Sequence, residues 1–121
     1  MRVLTVDDSR TILAMLHHTL TNAGFEVLQA ENGQVGLDVL GREDVDVVIT
    51  DINMPVMDGI EFLRTLRAEP GGKAPVVVLC SVENDREHIA EALEAGADEY
   101  IMKPFDSEIV RSKLVLLELI G

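Results

Sequence analysis

The stretch Val45-Asp46-Val47-Val48-Ile49-Thr50-Asp51 is almost wholly apolar and β-branched until its last carboxylate. Such a run reads as a strand covered on both faces, as in the middle of a parallel sheet. Pro75-Val76-Val77-Val78-Leu79-Cys80 has the same character. Working outward, Val3–Val6 gives a first strand, Phe25–Ala30 alternates partly as an edge strand would, and Glu99–Met102 gives a short last one. Segments of helical period lie between them. Ser9 opens a helix bearing Ile12, Leu13, Leu16, Leu20 and Ala23, and Gly24 closes it. Shorter helices are expected from about Gln34 to Leu40 and from Gly59 to about Ala68. The second of these leads into the loop Pro70-Gly71-Gly72-Lys73-Ala74. Asn84 and Glu87 form a capping box for a helix ending at Gly96, and a last helix is read over Asp106–Ile120.

Five strand–helix units in strict alternation imply parallel strands joined by helical crossovers, hence a doubly wound α/β domain. With 121 residues there is room for one core, so residues 1–121 are read as one domain. Acidic residues outnumber basic ones 22 to 10, for a formal charge of −12. That balance disfavours nucleic acid and anionic membranes as partners and suits cations or basic protein surfaces. The single cysteine, Cys80, excludes an internal disulfide framework and a thiolate metal cluster. The N-terminus meets Asp7-Asp8 too early for a secretory signal, and no apolar run approaches a membrane span, so the cytoplasm is the expected compartment.

In such a sheet the functional crevice lies outside the carboxyl ends of the strands, where the winding reverses. The strand ends carry Asp7-Asp8, Asp51, Cys80-Ser81 and Lys103-Pro104. One aspartate after a strand is ordinarily a helix cap. Three converging are different: two carboxylates about 4 Å apart repel by about 4 kcal/mol at an effective dielectric near 20. A cation resolves the conflict, and hard oxygen donors with room for water suit magnesium better than zinc.

Asp7-Asp8-Ser9, Asp51-Ile52-Asn53-Met54-Pro55-Val56-Met57-Asp58-Gly59, Ser81 and Lys103-Pro104-Phe105 together resemble the receiver domains of two-component response regulators. The similarity runs along the whole chain and is nearest to single-domain chemotaxis regulators of the CheY type. Cys80–Asp85 and Ala95–Tyr100 look like their alpha-proteobacterial branch. The resemblance implies a flavodoxin-like fold with five parallel strands in the order 2-1-3-4-5 and five helices. It implies that Asp51 accepts a phosphoryl group from a phosphohistidine on a histidine kinase. Asp8 and the Asn53 backbone carbonyl would hold Mg2+ with Asp51, and Asp7 would act directly or through water. Lys103 would set a positive charge on the phosphoryl oxygens, and Ser81 would hydrogen-bond to them. Counting back from Gly96 selects Ser81 for that role and counting forward from Pro75 selects Cys80; the hydroxyl is the better donor.

The same resemblance implies that Tyr100 turns inward as Ser81 moves, remodelling the surface of the fourth helix, fifth strand and fifth helix. It also implies a cis Lys103–Pro104 bond, and Asn53 with Glu83 as a pair that tunes self-dephosphorylation toward a short phosphoryl lifetime. Such a protein is no conventional enzyme, catalysing only its own phosphorylation and dephosphorylation. Output would pass by contact to a flagellar motor switch protein or a phosphotransfer protein, since no residues follow the last helix for an output domain. A phosphorelay intermediate, a phosphate sink, or the receiver part of a longer regulator are the alternatives, Gly121 falling where a linker would begin. A flavin carrier is disfavoured, because no Ser/Thr-rich phosphate loop follows the first strand and aromatics make up 3%. A hydrolase of the aspartyl-phosphate kind shows no substrate-pocket elements.

Other residues read as structural. His17, His18 and His88 are expected on helix surfaces, Cys80 in the core, and Met54 and Met57 shaping the loop after Asp51. In the last helix Ile109, Val110, Leu114, Leu117 and Ile120 are expected to face the sheet. Val115 and Leu119 would project away as an apolar docking or dimer patch on an otherwise monomeric protein.

Overall fold

The structure, a computed structural model, describes residues 1–54, 56–68, 74–82 and 86–120. Five strands, β1 (Arg2–Val6), β2 (Glu26–Ala30), β3 (Val47–Asp51), β4 (Val76–Val82) and β5 (Glu99–Lys103), alternate with five helices. These are α1 (Arg10–Asn22), α2 (Gly33–Arg42), α3 (Gly59–Ala68), α4 (Arg86–Glu94) and α5 (Ser107–Leu116). All strand pairs are parallel and the order is β2-β1-β3-β4-β5, as expected. Every residue of β3 is buried, which is why its sequence lacks alternation.

The sheet separates two apolar layers. On one face Leu4, Val48, Val77 and Leu79 meet Val39 of α2, Phe62 and Leu63 of α3 and Ala92 of α4. On the other, Val3, Ile49, Val78, Cys80 and Ile101 meet Leu16 and Leu20 of α1 and Val110 and Leu114 of α5. No helix of the described residues is long and apolar enough to cross a membrane.

Polar side chains start the helices where the backbone amides lack partners. Ser9 accepts from the Ile12 amide, Asn32 from Val35, and Asp106 from Ile109. Asn32 moves the start of α2 one residue ahead of the expected Gln34. Asn84 and the loop Pro70–Lys73 lie outside the described residues, so the expected capping box does too. Gly24 and Gly96 end α1 and α4 in the left-handed region, at φ 96° and 110°. Each is followed by an amide that reaches back to the helix, Phe25 to the Leu20 carbonyl and Ala97 to Ala92.

The last helix departs from expectation. It ends at Leu116 rather than Ile120. Glu118 adopts φ 61°, its amide bonds to the Val115 carbonyl and that of Leu119 to Leu114. This is the same closing turn, made without glycine. It folds Leu119 and Ile120 back against the core, so Leu119 is not the projecting residue anticipated. Ile109, expected to face the sheet, is 41% exposed, because the helix is seated by Val110 and Leu114 one position further round. Val115 is exposed as expected, together with Leu116.

A backbone approach fixes the loop after β3. A Cβ on Gly59 would fall against the Asp51 carbonyl oxygen and 2.8 Å from the Ile52 Cα. The Gly59 amide donates to the Ile52 carbonyl at 2.7 Å, and Asp58 caps α3 through the Glu61 amide at 2.8 Å. Gly59→Ala must therefore shift backbone rather than a side chain. It is expected to cost at least about 2 kcal/mol in a urea melt, and a stability within error of the parent would contradict this packing.

Candidate functional site

The winding reverses between β1 and β3, and both strands end in carboxylates. Val6 pairs with Thr50, so Asp7 follows β1 where Asp51 ends β3. Asp7, Asp8 and Asp51 each offer an oxygen, and these atoms lie within 4.8 Å of one another. Asp7 and Asp51 are buried while Asp8 is exposed, so the cluster has a closed floor and an open rim.

Lys103 closes the group from β5, the far edge. Its ammonium lies 3.1 Å from Asp51 Oδ2 and 3.4 Å from Asp7 Oδ2. The Lys103–Pro104 peptide bond is cis, as expected. Asp7 is held on its other oxygen, which accepts the Ser9 amide at 2.9 Å. Burial pushes the Asp51 carboxyl above its ordinary range; Lys103 opposes that shift, and the neighbouring Asp7 adds to it. Burial would lower the Lys103 ammonium, but its pairing with Asp51 and Asp7 outweighs this and raises it. The Asn53 amide hydrogen-bonds to Asp51 from an exposed position in the following loop.

The register of β4 separates its two candidates. Cys80 pairs with Asp51 but packs into the α1–α5 layer, and burial pushes its thiol up to about 12. Ser81, one residue further toward the sheet edge, is fully buried, and its hydroxyl has no hydrogen-bond partner among the described residues. A buried hydroxyl without a partner costs stability and marks a place where an acceptor is wanted. Tyr100 is half-buried on β5 beneath the Lys113 ammonium. Glu83 lies outside the described residues. His17, His18 and His88 are exposed, and Met54 and Met57 pack against the α2–α4 layer.

Two features were not legible in the chain. A groove of about 400 Å³ opens beside the cluster between α1 and the β2–α2 turn, lined by Asp8, Arg10, Leu13 and Glu31 among others. Its residues come from segments with no shared motif, so no spacing signals it. Val56, just after the acid-bearing strand, has φ 74° and is 80% exposed, an uncommon backbone state for a β-branched residue. No sequence rule assigns that state to valine.

A family profile described as the response regulator receiver domain matches residues 3–115. The chain is a response regulator receiver domain. It is similar to a chemotaxis protein CheY homologue of Campylobacter jejuni, 40% identical over 116 residues, covering 94% of this chain and 89% of that protein. Chemotaxis protein CheY-3 of Vibrio cholerae is 39% identical over 115 residues, covering 94% and 88%. Among solved structures, the chemotaxis response regulator CheY4 of Vibrio cholerae matches with a TM-score of 0.89. It is 36% identical and covers 96% of this chain and 97% of its own. The receiver domain is thus CheY-like in sequence and in fold over nearly its full described length.

The raised Asp51 carboxyl makes a prediction about pH. In the fold its ionised form is disfavoured, so the folded state binds more protons than the unfolded chain through the carboxylate range. Stability from this group therefore falls as pH rises through that range. In metal-free buffer at neutral pH, Asp51→Asn should be more stable than the parent, read as a higher melting temperature. The gap should shrink as pH drops toward about 4. A variant that melts below the parent at neutral pH would contradict the assigned crowding.

Proposed function

We propose that this receiver domain is a magnesium-dependent phosphoacceptor switch, with Asp51 as the phosphoryl acceptor and a phosphohistidine on a partner histidine kinase as the donor. The observation that carries this reading is the arrangement at Asp51. It is a buried carboxylate between two others, bound by the Lys103 ammonium at 3.1 Å, on the strand beside the unpartnered Ser81 hydroxyl. The donor set fits a hard divalent ion: three carboxylates on one open-rimmed edge, Asp7, Asp8 and Asp51, each offering an oxygen. Asp8, Asp51 and the Asn53 carbonyl would hold it, with Asp7 directly or through water. Magnesium bound there would neutralise charge on the carboxylates and the phosphoryl oxygens.

The chain's own groups perform the transfer. An Asp51 oxygen attacks phosphorus, a P–O bond forms, and the P–N bond to the imidazole breaks; the ring takes the electron pair and leaves as neutral imidazole, keeping the proton its other nitrogen already carried in the phosphohistidine. Lys103 turns its charge from the carboxylate to the phosphoryl oxygens, which positions and stabilises them. The Ser81 hydroxyl then donates to a phosphoryl oxygen and gains the acceptor it lacks. Tyr100 follows inward, which changes the face formed by α4, β5 and α5. Asn53 and Glu83 tune the attack of water on the acyl phosphate, consistent with a transient signal.

The CheY relatives favour a chemotaxis role, with a flagellar motor switch protein as the partner that reads the changed face. The reading takes residues 1–121 as one signalling unit, cytoplasmic and monomeric at rest. Incubation with a phosphohistidine donor carrying labelled phosphate tests it. The label should enter with magnesium, be released by mild base as an acyl phosphate is, and be absent from Asp51→Asn. Lys103→Ala should accept label roughly a hundredfold more slowly. Label retained in Asp51→Asn, or unaffected by chelation of magnesium, would overturn the reading.

A further inference from the structure

Tyr100 stands on the edge strand, and the surroundings of its ring hold a second device. The Lys113 ammonium, on α5, lies 5.3 Å from the ring centroid. The same ammonium is 3.4 Å from Glu99 Oε1, and that oxygen also accepts the Tyr100 backbone amide at 3.0 Å. One carboxylate oxygen therefore ties the lysine to the backbone of the residue whose ring it covers. Both side chains of this ion pair are mostly shielded, 29% exposed for Lys113 and 21% for Glu99, so the contact is less screened than a free surface pair.

We propose that Lys113, anchored by Glu99, is a positioning residue that holds the Tyr100 ring in its resting place and so sets how readily the domain switches. The inference rests on the reading above that Tyr100 moves inward when Asp51 is modified. A cation over an aromatic face is attracted only while the ring lies beneath it. Glu99 is fixed to β5 through the Tyr100 amide, so it keeps the ammonium from following the ring. The contact thus favours one of two states and opposes the other. A ligand that selects the second state must overcome it, and its apparent affinity drops by the fraction of molecules held back.

The chain supplies its own probe. Tyr100 is the one tyrosine, and there is no tryptophan. Protein grown with 3-fluorotyrosine carries a single fluorine, and beryllofluoride with magnesium serves as the phosphoryl mimic. In Lys113→Met, which keeps an unbranched apolar stem, the free-state resonance should move toward the position seen with beryllofluoride. The half-saturating beryllofluoride concentration should fall about two- to fivefold. Lys113→Arg should restore both values, because a guanidinium also lies well on an aromatic face. Glu99→Gln should lie between the parent and Lys113→Met. A merely structural lysine would lower the melting temperature without moving the resonance. If the parent resonance shifts with beryllofluoride while Lys113→Met matches the parent in resonance and half-saturation, the latch is refuted and the switch stands. If the parent resonance does not shift at saturation, the switch reading fails and the latch with it.

Discussion

Lys103 is one cation set among carboxylates that would otherwise repel one another at the edge of a buried sheet. Its ammonium bonds to Asp51 and lies close to Asp7, but burial still leaves the Asp51 carboxyl raised. The charge at this corner is therefore incompletely balanced in the protein alone. Under the proposed function that imbalance makes the corner receptive: a divalent cation would relieve it, and an arriving phosphoryl group would find Lys103 and Ser81 beside its oxygens. Ser81 shows the same condition in a neutral group, a buried hydroxyl without an acceptor among the described residues. Both features cost folding stability, and the proposed phosphoacceptor chemistry would account for both.

The rest of the fold keeps these groups from relaxing apart. A doubly wound sheet sends each strand end to one edge, so residues far apart in sequence are fixed by strand pairing rather than by their own contacts. The β3–α3 turn is held by the Gly59–Ile52 hydrogen bond, the Asp58 cap and the absence of a Cβ at Gly59. Apolar layers on both faces leave β3 and β4 no freedom to twist the acid away. At the opposite corner of the sheet, Arg67 donates to the Pro75 and Gly96 carbonyls and pairs with Asp98. That guanidinium joins the end of α3 to the start of β4 and the turn before β5, so the two strands that carry Ser81 and Lys103 share one anchor with α3.

Much of this could be read from the chain because the signals are local. Val47–Thr50 lacks alternation because both faces are covered. Ser9 and Asp106 announce helix starts because a short polar side chain must serve free amides, and Gly24 and Gly96 announce ends because their φ is positive. Where a local signal was absent, expectation failed. Glu118 closes α5 in the conformation glycine usually takes, so nothing in the sequence marked the stop or the inward fold of Leu119. Ile109 belonged to a plausible apolar stripe, but the helix rotates to seat Val110 and Leu114, and one position of rotation is decided by packing alone.

The candidate site divides in the same way. Asp7, Asp8, Asp51, Ser81 and Lys103 could be listed from the sequence because each stands at or just beyond the carboxyl end of a strand, and strand ends of a parallel sheet share an edge. Their distances, the depth of Asp51 and the orphan state of the Ser81 hydroxyl depend on how the strands align and what covers them, which no residue encodes by itself. The choice between Cys80 and Ser81 is a question of register, since adjacent residues on a strand point to opposite faces. The covering of Tyr100 by Lys113 lies further still from the chain's own logic. Thirteen positions separate them, on different elements, and only the docking of α5 beside β5 brings that charge over that ring.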